Sequence, residues 1–404
     1  MPHGNPPRKT TNYFAAHDPA GAVTDAIAAH LREGCRVAIA DGCGAPTGLG
    51  AALGDAARAV GGVQLLLGWS LTAPVDVRDT DAFTDIRTVM SGYALRAPVR
   101  DGQVRYLPVR LGSIPRLLAG AWRPDVLVAA LRPGRDGLVF GSEVGWMRAA
   151  VDTGVTVVAE VNHGLPDASD GVIVPAAQVV VAAETDRPPH DFTTNSPDDV
   201  ARAIGAHAAA LIPEGATIQY GPGTVADAIL RAIDTPVRVD SGLVGDAIVD
   251  LDRRGLLVDT PRGAYLAGTA PLYEWADGRR MLEPVEITHD VSRLAAHDCF
   301  VAVNTALELD PVGQVNVERA GGQPVGGIGG HADFALAASR SRHGISMICL
   351  PSHHRAGPTL VEHLSAPVTT ARADVDVVVN EHGAADLRGL DDRERERVLR
   401  DLWG

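Results

Sequence analysis

The stretch ATIQYGPGTVADAIL, Ala216–Leu230, decides the fold of this chain. Its first part is a short run that indicates a strand, and Gly221, Pro222 and Gly223 end that run. The residues that follow, TVADAIL, carry apolar side chains at the spacing of a helix. A strand, a glycine-containing turn and a helix in this order are typical of an α/β protein.

The same order occurs near the start of the chain. A helix is predicted over 20–32, the run CRVAIADG (Cys35–Gly42) predicts a strand that ends in glycine, and Gly48–Val60 predicts the next helix. Later runs are short and apolar on both faces, which suits parallel strands that helices cover on both sides. These runs are VQLLLGW (63–69), PDVLVAAL (124–131), VTVVAEV (155–161) and AAQVVVAA (176–183).

A polar stretch at about 184–200, ETDRPPHDFTTNSPDDV, divides the chain. Its adjacent prolines are typical of a linker, and the α/β pattern restarts after it. A chain of 404 residues is also longer than one core usually serves. We therefore predict two consecutive α/β domains with largely parallel sheets. The predicted bounds are 1–19 for an N-terminal arm, 20–185 for the first domain, 186–200 for the linker and 201–404 for the second domain.

The composition argues against several classes of function. The formal net charge of −14 disfavours nucleic acid as a partner, because phosphate binding needs a basic face. No apolar run approaches the roughly 20 residues that a membrane span needs, and the N-terminal residues MPHGNPPRKTTNYF lack the apolar region of a signal peptide. The four cysteines show no metal-binding spacing. We expect a cytoplasmic protein with no metal site, no nucleic-acid partner and no membrane partner.

Five segments follow predicted strands, at the positions where ligands bind in open α/β sheets. Glycine turns alone are weak evidence for a ligand, because many turns need glycine for their geometry. None of these segments matches the dinucleotide fingerprint GxGxxG, a Walker A loop or a GxSxG nucleophile elbow. The segments are Ala40–Pro46, Gln219–Gly223, Val239–Asp246, Val303–Thr305 and Gly326–Phe334.

Six stretches share their order and spacing with the motifs of one known family. YLPVRLGSIPRLL, Tyr106–Leu118, is similar to the family segment YIPxxLSEIPxLF, and CFVAVNTALELDPVGQVN, Cys299–Asn316, is similar to MVAINSALEVDLTGQVN. Over about residues 20–395 the chain therefore resembles the acetyl-CoA hydrolase/CoA-transferase family, which includes acetate and 4-hydroxybutyrate CoA-transferases. The other four stretches are Asp136–Pro166, Ala216–Leu230, Gly326–Phe334 and Asp374–Gly389.

The resemblance implies a fold and a substrate class. The fold would be of the CoA-transferase (NagB/RpiA-like) type, with the active site between the two α/β domains and coenzyme A along the second. The substrates would be an acyl-CoA and a small acceptor, with no permanently bound cofactor, and we expect a homo-oligomer. In the family, a glutamate carboxylate attacks the thioester and passes through an acyl anhydride to a glutamyl-CoA thioester.

The resemblance also implies roles for individual residues. Backbone N–H groups at Gly329 and Gly330 would stabilise the tetrahedral oxyanion, and Asn304 falls on the active-site asparagine of the family. His331 stands where many relatives have glutamine, and it is the fourth catalytic candidate. The predicted contacts with coenzyme A are Gly221, Gly223, Gly242 and Gly327.

One position departs from the family in a way that changes the chemistry. The family segment HTEMxSDGVVDL aligns with DSGLVGDAIVDL, Asp240–Leu251, and places the glutamate on Gly242, which has no nucleophile. On a strand, Asp240 would share a face with residue 242 but lie about 6.6 Å from it, too far to replace the carboxylate. Asp246 matches a family aspartate, and we interpret it as structural.

His331 offers another route, because histidine titrates near neutral pH and can act as a general base. It would activate water, an alcohol or an amine to attack the thioester directly; alternatively, it fills the glutamine site and hydrogen-bonds coenzyme A or backbone. Three functions stay open on the sequence alone: direct hydrolysis or acyl transfer, conventional CoA transfer through a displaced nucleophile, and non-catalytic acyl-CoA binding. The retained Asn304 and Gly329–Gly330 favour a working site, whereas the missing carboxylate favours a binding protein.

Overall fold

The computed structural model describes residues 19–169, 171–355 and 357–404. The predicted N-terminal arm, 1–19, lies outside these residues except for Pro19, at which the first helix begins. Within the described part of the chain, each half contributes one large sheet. No helix there is long and apolar enough to cross a membrane.

The described residues of the first half form five α-helices and eight strands. The helices are α1 (Pro19–Ala28), α2 (Gly50–Val60), α3 (Arg96–Arg100), α4 (Ile114–Ala119) and α5 (Met147–Asp152). The strands are β1 (Arg36–Ile39), β2 (Val63–Leu67), β3 (Phe83–Thr88), β4 (Arg105–Tyr106), β5 (Val126–Pro133), β6 (Leu138–Val139), β7 (Thr156–Asn162) and β8 (Val179–Thr185).

Seven of these strands form a parallel sheet in the order β4-β3-β2-β1-β5-β7-β8, and β6 pairs antiparallel with β5. The chain runs from β1 to β2 on one side and later reaches β5 on the other side of β1. The strand order therefore reverses between β1 and β5. Ligands bind outside the carboxyl ends of strands at such a reversal, which is where the loop after β1 lies.

Strand β1 is buried on both faces. Val37 and Ile39 belong to an apolar core that includes Ile27 of α1, whereas Ala38 belongs to a second core that includes Leu118 of α4. Helices cover both sides of a parallel sheet in this arrangement, which explains why the strand sequence is apolar at consecutive positions.

The second half contains the remaining described elements. The helices are α6 (Asp199–Ala209), α7 (Thr224–Ala232), α8 (Ala247–Arg253), α9 (Ala270–Ala276), α10 (Val285–Thr288), α11 (Val291–Ala295), α12 (His331–Arg340) and α13 (Asp392–Trp403). The strands are β9 (Thr217–Tyr220), β10 (Arg238–Val239), β11 (Leu243–Val244), β12 (Tyr265–Leu266), β13 (Phe300–Thr305), β14 (Glu308–Leu309), β15 (Val315–Asn316), β16 (Arg319–Ala320), β17 (Gln323–Pro324), β18 (Ile345–Cys349), β19 (His353–His354), β20 (Gly357–Pro358), β21 (Val377–Asn380) and β22 (Gly383–Asp386).

The second sheet has the order β10-β9-β13-β18-β21-β22. Its neighbours are parallel except for β21 and β22. Because β10 and β13 lie on opposite sides of β9, the strand order reverses here as well. Gln219 and Tyr220 at the end of β9, and Asn304 near the end of β13, lie at this second reversal. The predicted α/β class with largely parallel sheets is confirmed.

The two halves are joined through backbone contacts as well as through a shared apolar core. The N–H of Val144 donates to the Ala264 carbonyl at 3.0 Å, and the N–H of Leu266 donates to the Ser142 carbonyl at 2.8 Å. These hydrogen bonds fix the loop before α5 against β12. The carboxyl ends of both sheets therefore border one crevice.

Some local predictions differ from the structure. Helix α1 ends at Ala28, whereas the sequence predicts a helix as far as residue 32; the residues after Ala28 form turns, and Gly34 has a φ of +74°. Strand β3, FTDIRT, was not predicted because its polar residues interrupt the apolar pattern. Residues 186–198, most of the predicted linker, form neither helix nor strand, which does not conflict with a linker, and the predicted domain bounds stay predictions.

Candidate active site

A cavity of about 390 Å³ lies where the two strand-order reversals face each other. Asp41 after β1 and Trp69 after β2 line it from the first half. Gln219 of β9 and Asn304 of β13 line it from the second half. The cavity is thus built from both halves of the chain, at the position where ligands bind in sheets of this type.

The cavity presents polar atoms that the protein itself leaves without partners. Among the described residues, nine buried side-chain N or O atoms have no hydrogen-bond partner, and five of them belong to residues that line this cavity. Most buried polar groups in proteins are hydrogen-bonded, so five unsatisfied atoms around one cavity mark it as a candidate ligand site. They are Oδ1 of Asp41, Oε1 of Gln219, the hydroxyl of Tyr265, Nε2 of His289 and Nδ2 of Asn304.

Seven of the eight residues predicted from the sequence line the cavity. The exception is Gly223, which precedes α7 with a φ of +121°, a conformation that favours glycine. A contact between Gly223 and coenzyme A stays a prediction. The seven residues in the cavity wall are Gly221, Gly242, Asn304, Gly327, Gly329, Gly330 and His331.

Gly329 and Gly330 lie at the N-terminus of α12. N–H groups at a helix N-terminus attract negative charge. Asn304 adds a side-chain donor, because its Nδ2 is unpartnered while Gln219 Nε2 donates to its Oδ1 at 3.4 Å. Together these groups have the chemistry of an oxyanion hole.

The first half of the chain holds this glycine loop. The Tyr106 hydroxyl accepts a hydrogen bond from the Ile328 N–H at 3.1 Å, and the Leu111 N–H donates to the Gly329 carbonyl at 2.9 Å. Both Tyr106 and Leu111 belong to the segment YLPVRLGSIPRLL. That segment therefore positions the loop across the boundary between the two halves.

Gly242 lies against the imidazole of His289. A Cβ atom added to Gly242 would lie 3.1 Å from His289 Nε2 and 3.4 Å from Cε2 of Phe334. A Cβ atom added to Gly330 would lie 2.5 Å from the same nitrogen. A side chain at position 330 would therefore overlap the imidazole, and one at position 242 would be in tight contact with it.

The two ring nitrogens of His289 have different surroundings. Nδ1 lies 2.9 Å from Oγ1 of Thr288, whose own proton can go to the Pro284 carbonyl at 3.3 Å. These contacts favour a proton on Nδ1 and leave a lone pair on the unpartnered Nε2. Burial lowers the pKa of His289 to about 3, so the ring is neutral at physiological pH.

His331 has a partner at each ring nitrogen. Nε2 lies 3.2 Å from the Thr305 carbonyl oxygen, which can only accept, so Nε2 carries the proton. Nδ1 then accepts from the Thr370 hydroxyl at 2.7 Å. Burial lowers the pKa of His331 to about 4. This arrangement fits a residue that holds the loop, and the general-base role suggested by the sequence stays a prediction that the geometry does not favour.

Asp240 is a buried ion-pair partner. Arg293 donates to its carboxylate from Nη1 at 2.5 Å and from Nη2 at 2.9 Å, and Arg262 adds a contact at 3.3 Å. Burial by itself would raise the pKa of Asp240, but the hydrogen bonds from Arg293 and His297 and the arginine charges lower it to about 2. Asp240 is not among the residues that line the cavity, so it does not stand in for the missing carboxylate.

One wall of the cavity is aromatic. Trp69 meets Tyr93 at a ring-centroid distance of 5.7 Å and Tyr265 at 6.3 Å, edge to face in both cases. Phe192 packs behind them, 5.4 Å from Trp69. Such edge-to-face contacts give a rigid apolar surface. This wall is suited to the apolar part of a ligand.

Two family descriptions fit the chain. Residues 22–188 match the acetyl-CoA hydrolase/transferase N-terminal domain, and residues 268–402 match the acetyl-CoA hydrolase/transferase C-terminal domain. The chain belongs to the acetyl-CoA hydrolase/transferase family. The resemblance seen in the sequence is confirmed, and with it the assignment to an acyl-CoA-handling group of transferases and hydrolases.

Relatives within the acetyl-CoA hydrolase/transferase family span most of the chain. A 4-hydroxybutyrate coenzyme A transferase from Clostridium kluyveri is 29% identical over 329 residues, which cover 76% of this chain and 76% of the relative. A butyryl-CoA:acetate CoA-transferase from Anaerostipes caccae is 28% identical over 363 residues, covering 81% of this chain and 80% of the relative. The crystal structure of RipA from Yersinia pestis superposes with a TM-score of 0.83 at 23% identity, covering 94% of this chain and 92% of RipA, and shows the same fold.

Gly242 lies between the two segments that match the family. Residues 189–267 separate those segments, so the replacement of the family glutamate by glycine stays a prediction from the alignment of Asp240–Leu251. The structure adds an independent observation, because it shows an imidazole in the space beside Gly242.

Several residues that line the cavity were not predicted from the sequence. Asp41 lies in Ala40–Pro46, a segment predicted to border a ligand because it follows a strand. No motif in the sequence assigned a role to its carboxylate. Tyr265 and His289 follow no turn motif or family match quoted from the sequence. Their positions depend on how β12 and the end of α10 pack, which a pattern of residue types does not reveal.

Proposed function

We propose that this protein cleaves an acyl-CoA thioester by direct attack of water or a small acceptor, without a glutamyl-CoA intermediate. The observation that carries the proposal is the pair Gly242 and His289. Position 242 offers no carboxyl group, and a neutral imidazole lies 3.1 Å from the point at which such a side chain would begin. An attacking group must therefore come from the solvent or from a second substrate.

The donors of the cavity support the same chemistry. A thioester carbonyl placed between Asn304 Nδ2 and the Gly329–Gly330 N–H groups would become more negative as the tetrahedral state forms, and these donors would then stabilise it. Collapse of that state would break the C–S bond and release coenzyme A. The wall formed by Trp69, Tyr93 and Tyr265 would hold the acyl group.

One observation favours a second candidate function, conventional CoA transfer through a displaced nucleophile. Asp41 lines the cavity, and its Oδ1 has no partner. A carboxylate at that position would carry a covalent intermediate if the thioester carbon reached it. Asp240, the displaced nucleophile considered from the sequence, is instead held by Arg293.

The test is to look for covalent capture during turnover. Acetyl-CoA and butyryl-CoA serve as probes, because relatives named as acting on such thioesters match most of the chain. Release of the thiol is followed with a thiol reagent, while hydroxylamine or borohydride traps any activated carboxyl group for peptide mass spectrometry. We expect thiol release without a modified carboxyl. A modified carboxyl supports the transferase, and bound probe with neither outcome supports a non-catalytic protein.

The control is Asn304→Ala. This variant should lower thiol release while leaving binding of the probe nearly unchanged, which ties the activity to this cavity rather than to a contaminant.

In the same proposal, coenzyme A enters and leaves as part of the substrate rather than as a resident cofactor. A homo-oligomeric state and a cytoplasmic location stay predictions.

A further inference from the structure

Asp41 is a buried carboxylate without a neutralising cation. It is 2% exposed, and within the described residues no arginine, lysine or histidine forms an ion pair with it. Two other buried acids differ in this respect: Asp240 pairs with Arg293 and Glu160 pairs with Arg187. An unpaired buried charge is costly, and such groups concentrate at functional sites.

The two oxygens of Asp41 are placed differently. Oδ2 accepts hydrogen bonds from the Trp69 backbone N–H at 2.8 Å and from the Trp146 indole N–H at 2.9 Å. Oδ1 and the hydroxyl of Tyr265, which lines the same cavity, are both buried, and neither forms a hydrogen bond of regular geometry, although the hydroxyl acts to lower the pKa of the Asp41 carboxyl. One oxygen therefore anchors the carboxylate, while the other is not fixed by a regular hydrogen bond within the described residues.

The surrounding loops are shaped to hold this carboxylate and a second one, Glu143. A Cβ atom on Gly68 would overlap the Asp41 carboxyl group. Cβ atoms on Gly42 and Gly44 would lie 2.9 Å and 2.6 Å from Glu143 oxygens, and the Gly44 N–H donates to Glu143 Oε2 at 3.1 Å. Glycines after β2 and after β1 thus make room for Asp41 and for Glu143, respectively.

We infer that Asp41 is the general base of the direct attack. Its Oδ1 takes the proton from a water, alcohol or amine as the lone pair of that acceptor bonds to the thioester carbon. The C–S bond then breaks, its electron pair leaves on the sulfur, and the proton passes from Asp41 to the thiolate. With water, one thioester and one water give one carboxylic acid and one coenzyme A thiol. This inference rests on the proposed function.

The groups around Asp41 agree with this role. Burial raises the pKa of Asp41 to about 6. The hydrogen bonds from Trp146 and Trp69, together with the Tyr265 hydroxyl, lower this pKa, but by less than burial raises it. Burial raises the pKa of Glu143 to about 8, and the Asp41 charge adds to that shift. Near pH 7, Glu143 therefore holds a proton and Asp41 is ionised, which is the state that a base needs.

The other candidates for the base fit less well. His331 uses both ring nitrogens in hydrogen bonds, and the low pKa of His289 makes it a weak base near neutral pH. Asp41 also fits a base better than a nucleophile. Its Oδ1 is enclosed, so a small proton donor can reach it more easily than an acyl carbon can.

The test compares Asp41→Asn with Asp227→Asn in the full chain, with acetyl-CoA and butyryl-CoA as probes. Asp227 is a half-buried aspartate whose pKa is also raised by burial, but it does not line this cavity. We expect Asp41→Asn to lower kcat by about 100-fold or more, with KM and probe binding nearly unchanged, and Asp227→Asn to keep the wild-type rate. In the wild type, kcat/KM should rise with pH to a plateau with an apparent pKa of about 6, and the Asp41 variant should lack this rise.

A second variant guards against a merely structural effect. Asp41→Gly should regain activity when formate is added, because a small carboxylate can enter the space left by the side chain. If Asp41→Asn keeps the wild-type rate, Asp41 is not the general base. Direct attack on the thioester is still supported in that case, provided that no protein carboxyl group is trapped. A trapped adduct on Asp41 overturns both proposals, and so does a wild-type protein that releases no thiol from either probe.

Discussion

A Cβ atom on Gly242 would lie 3.1 Å from Nε2 of His289. The two positions are therefore coupled, because any side chain at position 242 would be in tight contact with the imidazole. His289 also rests on Phe334, with ring centroids 4.7 Å apart, which keeps the ring in place. We therefore expect that restoring a working carboxylate at position 242 also needs a smaller side chain at position 289.

This coupling predicts a contrast between a single and a double variant. Gly242→Glu alone should fail to form a glutamyl-CoA adduct, because the new side chain meets His289. Gly242→Glu combined with His289→Ala should form an adduct that borohydride traps and peptide mass spectrometry locates at residue 242. His289→Ala alone is the control. An adduct in Gly242→Glu without the second change would contradict the steric argument.

Asn304 should matter for the rate rather than for binding. Its Nδ2 has no partner among the described residues and is proposed to donate to the developing oxyanion, so Asn304→Ala should lower kcat by about 100-fold or more and change KM little. Steady-state kinetics with butyryl-CoA check this expectation. Ser346→Ala is the matched control, because Ser346 is also buried with an unpartnered side-chain oxygen but does not line the cavity. Equal kinetics in the two variants would remove Asn304 from the mechanism.

His331 should tolerate replacement by glutamine. The amide N–H of glutamine can donate to the Thr305 carbonyl, and its oxygen can accept from the Thr370 hydroxyl, which are the two contacts of the imidazole. We expect His331→Gln to keep kcat within about threefold of the wild-type value, since a lost general base typically costs at least about 100-fold. A loss of that larger size in a folded variant would return the base role to His331.

Asp41 and Asp240 should respond oppositely to neutralisation. The folded-state pKa of Asp41 is raised from 3.8 to about 6, so its ionisation destabilises the fold. The loss in free energy of unfolding that this ionisation causes is absent below about pH 4, grows as the pH rises towards about 6 and is constant at higher pH. At that plateau it is roughly 3 kcal/mol. Asp41→Asn should therefore raise the free energy of unfolding at pH 7, because the amide oxygen still accepts from Trp69 and Trp146.

Asp240→Asn should lower the free energy of unfolding at pH 7. The pKa of Asp240 is depressed to about 2, so its contribution is fully present above about pH 4 and is lost as the pH falls through about 2. Removing the carboxylate leaves Arg293 without its partner, which typically costs about 3–5 kcal/mol for a buried pair. Urea unfolding at pH 7 compares the two variants. A similar loss of stability in both would show that Asp41 is structural.

The sequence predicts local elements of this protein better than it predicts the site. Ala216–Leu230 forms β9, a glycine turn and α7, because the apolar pattern and the turn residues act locally. Asn304 and Gly330 were identified because they belong to stretches that resemble a family. The partners of charged groups are not local: Arg293 lies 53 residues from Asp240.

The same limit applies to the cavity. Asp41 and His289 belong to different halves of the chain, and only the packing of two sheets brings them to one cavity. The glycines after β1 predicted a tight turn, but the second carboxylate that they accommodate, Glu143, lies 99 residues from Gly44. The chemistry of this site therefore depends on tertiary contacts that cannot be predicted from residue types and their spacing.

The most direct test of the central claim is a single turnover of butyryl-CoA in ¹⁸O-labelled water with the protein in excess. Direct attack predicts one labelled oxygen in the released butyrate and no label in any peptide of the protein. A route through an enzyme-bound CoA thioester would place the label in a protein carboxyl group when water releases the coenzyme. Label at Asp41 or at any other carboxylate would contradict the account.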